Sequence, residues 1–241
     1  MTDPVPPVRT LTVALDAGTM DMPLWLPPTG SGPGLILVQE IFGVGEWITA
    51  VATELAAAGY VVAAPDLYWR IEPGWTAAGD EEGQRAAFAM VGQLDVPRAV
   101  GDTVAALGVL ADAEEVTGAP GVIGYCLGGT IAWMAAAVGN PSVCVSYYGS
   151  GVPDALDEIE AITCPTLLHF GGSDPFIKAE DVDRVEEAVA GLDRFELHVH
   201  EGGGHAFEND RAEAFHQPDQ AARSRALTMD FLDHHLRESV A

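Results

Sequence analysis

The amino-acid sequence predicts an α/β fold in which helices cover both faces of one mostly parallel central sheet. Three observations carry that expectation. Short apolar runs alternate with longer stretches of helical period, the pattern of strands joined by crossover helices. Two of the runs, residues 34–39 and the segment that leads to Gly124, are almost wholly apolar, as strands covered on both faces must be. The chain is 241 residues long and 48% hydrophobic, enough for one well-buried core. No repeat or low-complexity linker divides it, so residues 1–241 are expected to form a single domain.

Taken in order, residues 10–14 and 22–26 are expected to pair as an opening antiparallel hairpin. Residues 34–39 follow as a buried strand and 47–58 as a helix, stopped by Gly59 where a left-handed cap is needed. Residues 60–64 form the next strand, ending at Pro65. Residues 85–92 and 97–111 are helical, the second with proline in its first turn. The strand ending at Gly124 leads directly into a helix over 127–138. Strands at 143–148, 166–170 and 195–200 complete the sheet, with a helix over 181–190 between the last two. A long helix over 217–237 closes the chain.

The junction at Gly124-Tyr125-Cys126-Leu127-Gly128 is the most specific feature. It fits a nucleophile elbow, the strand-to-helix turn of the small-x-nucleophile-x-small pattern, with cysteine where serine usually stands. Glycines two residues before and after Cys126 are required because side chains there would collide with the neighbouring strand or the helix start. Cys126 would thus sit at the top of the sheet, at a helix N-terminus that favours a thiolate. An elbow needs a base and an acid to orient it, in the order nucleophile, Asp or Glu, His. Asp174 follows the strand 166–170 in Gly172-Ser173-Asp174-Pro175, and His205 follows the strand 195–200 in Gly202-Gly203-Gly204-His205. Alone, Asp174 would be a turn residue and His205 a solvated loop histidine. In this order, each after its own strand, they complete a candidate triad, the three glycines giving His205 a flexible, close-approaching loop.

Competing readings are weaker. His198 and His200 share one face of a strand, but no third ligand has metal-site spacing, so no metal is expected. His234 and His235 fall on the closing helix and are read as solvated. Cys144 and Cys164 sit in or beside apolar strands as core thiols, and Ser146 and Ser150 have no elbow. The net charge of −25, with Lys178 the single lysine, argues against nucleic acid or an anionic membrane as partner. Residues 1–7 have neither a basic region nor an apolar stretch, and no run reaches the ~18 apolar residues that a bilayer span needs. Three cysteines without framework spacing indicate reduced thiols. A cytoplasmic protein is expected, a monomer or weak homo-oligomer with a small-molecule substrate.

Gln39-Glu40-Ile41-Phe42-Gly43, Pro65-Asp66-Leu67-Tyr68, the cysteine elbow, Tyr147-Tyr148-Gly149 and Gly204-His205-Ala206-Phe207 together resemble the dienelactone hydrolase family of α/β-hydrolases. The resemblance spans nearly the whole chain. It implies a Cys126–His205–Asp174 triad that opens the carboxymethylenebutenolide lactone of halocatechol breakdown through a thioester, without metal or organic cofactor. It also implies that Glu40 contacts the resting thiol and that the amides of Ile41 and Leu127 form the oxyanion hole. Substrate contacts are expected at Arg85, Tyr125, Phe42 and position 209. The chain departs from the family in two of these places. Where the family has a second carboxylate-gripping arginine this chain has Asn209, and the serine after the histidine is Ala206. Arg211 and Arg70 are the candidate substitutes. The alternatives are a carboxylesterase or lactonase with a different small substrate, and a non-catalytic thiol-bearing binding protein.

Overall fold

The computed structural model describes residues 5–237; residues 1–4, within the N-terminal stretch assessed for a leader, and 238–241 lie outside them. β1 (Arg9–Leu15) and β2 (Gly18–Trp25) form the expected hairpin, with Leu15 opposite Gly18. Beyond it come β3 (Gly32–Val38), β4 (Val61–Ala63), β5 (Val116–Tyr125), β6 (Cys144–Tyr147), β7 (Thr166–Gly171) and β8 (Phe195–His200). All eight join one sheet in the order β1-β2-β4-β3-β5-β6-β7-β8. β2 is antiparallel to both neighbours and every other pairing is parallel. The strand order reverses at β3, with β4 on one side and β5 on the other. The crevice at the carboxyl ends of such strands is where open α/β sheets take ligands.

Among the described residues five α-helices lie between strands, α1 (Glu46–Ala57), α2 (Glu81–Val91), α3 (Val96–Ala111), α4 (Leu127–Gly139) and α5 (Ala179–Val189), and α6 (Pro218–Leu232) follows β8. α3 and α4 pack together against β3 and β5. α1 and α6 cover the other face, meeting Ile123 and Tyr125 across it. α1 ends as its glycine predicts. Gly59 takes φ +109°, its N–H bonds the Ala56 carbonyl, and the Tyr60 N–H reaches back to Leu55. That double bond closes the helix in a Schellman turn and uses Tyr60, which is why β4 begins one residue later than expected.

Other boundaries moved for equally local reasons. α2 starts at Glu81 rather than 85 because Asp80 caps it, accepting the Gly83 N–H at 2.8 Å. β3 and β5 extend towards their amino ends through Gly32 and Val116, past a register shift between Pro33 and Leu35. The closing helix is α-helical only to Leu232 and finishes in a π turn over Asp233–Arg237. Two single 3₁₀ turns, Val152–Asp154 and Leu156–Glu158, follow β6 and have no periodic signal to announce them.

The decisive joint is the handover from β5 to α4. Cys126 has φ 55° and ψ −116°, a conformation that a side-chain-bearing residue holds only under constraint. The constraint is close backbone approach. A Cβ at Gly124 would lie 2.0 Å from the Gly128 carbonyl, and one at Gly128 would lie 2.4 Å from the carbonyls of both Val38 and Gln39. Gly128→Ala should therefore cost at least the upper end of the ~1–3 kcal/mol typical of overpacking, because backbone cannot yield as side chains do. Gly108, on the exposed side of α3 with open space around it, is the control. There alanine should stabilise by ~0.4–1 kcal/mol. Urea unfolding of the two variants should show opposite signs.

Candidate active site

Three loops at the carboxyl edge of the sheet bring the candidate triad together. His205 Nε2 lies 3.0 Å from Cys126 Sγ, and His205 Nδ1 lies 2.7 Å from Asp174 Oδ2. Asp174 is held by the backbone of its own loop, its Oδ1 accepting the N–H groups of Phe176 and Ile177. One carboxylate oxygen is thus anchored and the other is left for the imidazole. The glycine loop before His205 is pinned rather than loose. Gly204 N–H bonds Gln217 Oε1 at 2.6 Å, Gln217 Nε2 returns a bond to the Gly202 carbonyl, and Ser173 N–H bonds the Gly203 carbonyl. The glycines serve proximity: a Cβ on Gly171 would meet the Gly203 carbonyl at 2.5 Å. Tyr148 and Phe176 flank the imidazole with ring centroids at 5.2 and 5.0 Å.

Burial works against a charge on His205, but the neighbouring Cys126 and Asp174 outweigh it and raise the imidazole pKa to about 10. The ring is therefore held towards its protonated form at neutral pH. Leu127, the first residue of α4, offers an N–H from a helix start, where backbone donors lack intrahelical partners. Facing it is the loop after β3, whose position is set by the strand next door. Gln39 Oε1 accepts the Leu67 N–H, and the Tyr68 hydroxyl donates to the Ile41 carbonyl at 2.8 Å. Asp66 in turn ties Tyr68 N–H and Gly74 N–H to its two oxygens. The motifs at 39–43 and 65–68 are thus one hydrogen-bonded unit.

Glu40 is buried, 2% exposed, and its Oε1 accepts a hydrogen bond from Asn209 Nδ2 at 2.9 Å. The thiol bonds His205 and the Glu40 carboxyl bonds Asn209, so the direct glutamate–thiol contact that the resemblance implies is not the arrangement adopted here. The asparagine amide, outside the cavity wall, supplies the donor that holds Glu40. Burial pushes the Glu40 carboxyl up to about 8, against the pull of Asn209 and His205.

A cavity of about 270 Å³ opens onto Cys126 and His205. Glu40, Ile41, Phe42 and Leu127 reach its wall; Arg85, Tyr125 and Asn209 do not. Arg85 points away on α2, where its exposed guanidinium pairs with Glu81 at 2.7 Å. Tyr125 belongs to the sheet face under α1 and α6, stacked on Tyr147 at 4.5 Å. Ala206 sits in the cavity at φ 55°. Sequence reasoning missed Phe176, Val91, Val96 and Phe215 in the wall. Only Phe176, two residues past Asp174, carried any signal, since side chains that meet across loops have no periodicity.

The remaining candidates lie elsewhere. Cys144 and Cys164 are buried, and burial raises both thiols. His200 does find a histidine partner, His169, at 3.0 Å, but the two rings bond each other directly. Among the described residues no group of three His, Cys, Asp or Glu is placed to hold a metal ion. No described helix is long and apolar enough to cross a membrane.

Glu40 yields a pH prediction with a definite sign. Its folded pKa of about 8 exceeds the ordinary 4.5, so between those values the native state holds a proton the unfolded chain has lost. Stability should fall as pH rises through that window, by at most about 1.4 kcal/mol per pH unit. Glu40→Gln removes the titration while keeping the shape. Relative to wild type, it should gain stability between pH 5 and pH 8 in urea unfolding. A pH-independent difference would mean that Glu40 ionises normally.

Known proteins share both the sequence and the fold of this chain. A family model, "Dienelactone hydrolase family", matches residues 21–236. The carboxymethylenebutenolidase of Pseudomonas sp. (strain P51) is 34% identical over 220 residues, covering 91% of this chain and 92% of that protein. That of Rhodococcus opacus is 31% identical over 219 residues, covering 86% and 83%. Among solved structures, the dienelactone hydrolase from Anabaena variabilis has a TM-score of 0.71 at 20% identity, covering 98% of this chain and 100% of its own. A dienelactone hydrolase-like promiscuous phosphotriesterase from metagenomic libraries has a TM-score of 0.78 at 20% identity, covering 95% and 98%. The structural matches establish an α/β-hydrolase fold, and the sequence matches run across most of the chain: the protein belongs to the dienelactone hydrolase family.

Proposed function

We propose that this chain hydrolyses a small ester or lactone through a thioester on Cys126. Family membership makes it a hydrolase of ester or lactone bonds. The observation that carries the finer reading is the relay from Asp174 through His205 to Cys126, at 2.7 and 3.0 Å, on the wall of a cavity. With the thiol proton on His205 Nε2, the thiolate attacks the substrate carbonyl. The oxyanion is received by the Leu127 and Ile41 amides. Collapse expels the leaving alkoxide or enolate, which takes the proton from His205. Water then gives a proton to His205 and attacks the thioester, releasing the acid and restoring the thiolate. Asp174 holds the imidazole in the orientation that faces sulfur. A thiol-bearing binding protein would need only the cysteine; the anchored Asp174 carboxylate has no purpose in that reading.

Acid quench of wild type with 4-nitrophenyl acetate, followed by peptide mass mapping, should place one acetyl group on Cys126 and none on Cys144 or Cys164. Cys126→Ala should release no burst of nitrophenolate. Asp174→Asn should retain binding and lose on the order of 10³–10⁴ in kcat, because the amide stabilises the wrong tautomer. Near-normal turnover in Asp174→Asn would reassign the orienting role to another carboxylate.

A further inference from the structure

Apart from His205, the described residues around the cavity beside Cys126 offer a substrate no cation. Its walls away from the triad are largely Phe42, Phe88, Val91, Val96, Phe176 and Phe215, and no arginine or lysine contributes to it. Phe88 and Phe176 are about half exposed, 52% and 53%, so the mouth as well as the interior is apolar. Every arginine positioned by sequence to grip a carboxylate is engaged elsewhere. Arg85 pairs with Glu81 at 2.7 Å. Arg211 lies between Glu46 and Asp210, at 3.5 and 3.6 Å, beside a separate small cavity behind Glu40. Arg70 is clamped by Asp102 and Asp16. Position 209 supplies a neutral amide, and that amide is already bonded to Glu40.

Such a site favours one substrate class. An apolar acyl or alkyl group entering it releases water from aromatic and aliphatic surface. A carboxylate entering it would lose its hydration with no arginine or lysine to pair with. We propose, resting on the hydrolytic reading above, that this enzyme selects neutral, apolar esters or lactones and discriminates against substrates that carry a free carboxylate. Asn209, outside the wall, supplies no cation and is bonded to Glu40. The Glu40 pKa of about 8 is consistent with a wall that adds no charge to that of the triad near pH 7.

The test compares 4-nitrophenyl butanoate with 4-nitrophenyl hemisuccinate, which share leaving group and acyl length but differ in a terminal methyl or carboxylate. The butanoate should have the higher kcat/KM by about tenfold to a hundredfold, the range expected when a charge finds no partner. The preference should persist in 1 M NaCl, where the Debye length is ~3 Å, because it arises from desolvation in the cavity. Equal or faster hemisuccinate turnover, or a preference that vanishes in 1 M NaCl, would overturn the proposal; the latter result would assign it to the net charge of −25. Titration calorimetry of Cys126→Ala with N-(4-nitrophenyl)butanamide and N-(4-nitrophenyl)succinamic acid separates the two readings. Tighter binding of the neutral amide with no turnover of either ester by wild type would refute the hydrolytic chemistry and leave the cavity's selectivity standing. Equal binding, or binding of neither, would refute the selectivity itself.

Discussion

The candidate site depends on one backbone contact, the seating of the first turn of α4 on the carboxyl end of β3. Gly128 brings its Cα against the Val38 and Gln39 carbonyls, so close that even a methyl group has no room. That approach forces the chain through the positive φ of Cys126, and the strained turn lifts the sulfur out of the sheet edge. It also places the Leu127 amide opposite the loop that carries Glu40 and Ile41. Nucleophile and proposed oxyanion donors are therefore positioned by main chain, whose geometry varies less than that of side chains.

The other parts of the site are held by side-chain hydrogen bonds from other elements. Tyr68 and Gln39 fasten the loops after β3 and β4 to one another. Gln217, at the start of α6, fastens the His205 loop from 13 residues further along the chain. Asp174 spends one oxygen on its own backbone, which leaves the other at a single position relative to His205. Each reactive group thus has an anchor from a different element, and precise placement does not rely on any one loop.

Charge follows the same division. The chain is strongly acidic overall, yet the cavity wall is apolar and its one carboxyl outside the triad is pushed towards the neutral form by burial. The imidazolium of His205 is the local positive charge, sustained by Cys126 and Asp174 against desolvation. A protonated imidazole beside a cysteine in an otherwise apolar cleft fits the attack proposed above on a neutral carbonyl.

Local signals in the sequence determined the sheet, most of its strands and the elbow. Period-two and fully apolar runs, capping glycines and the glycine spacing around Cys126 act over a few residues, where sterics leave few alternatives. Chain order alone also nominated Asp174 and His205, because strands that alternate with helices in a parallel sheet return every loop of one kind to the same edge. What needed tertiary structure was direction and partnership. Arg85 stands at the right place along the chain, but the rotation of α2 carries it to solvent and Glu81. Tyr125 precedes the nucleophile, yet the alternation of β5 turns it to the opposite side of the sheet. Glu40 met Asn209 across 169 residues, and Phe176, Val91, Val96 and Phe215 closed the cavity from four separate segments. Those contacts join positions that share no spacing, so they exist only once the chain has folded.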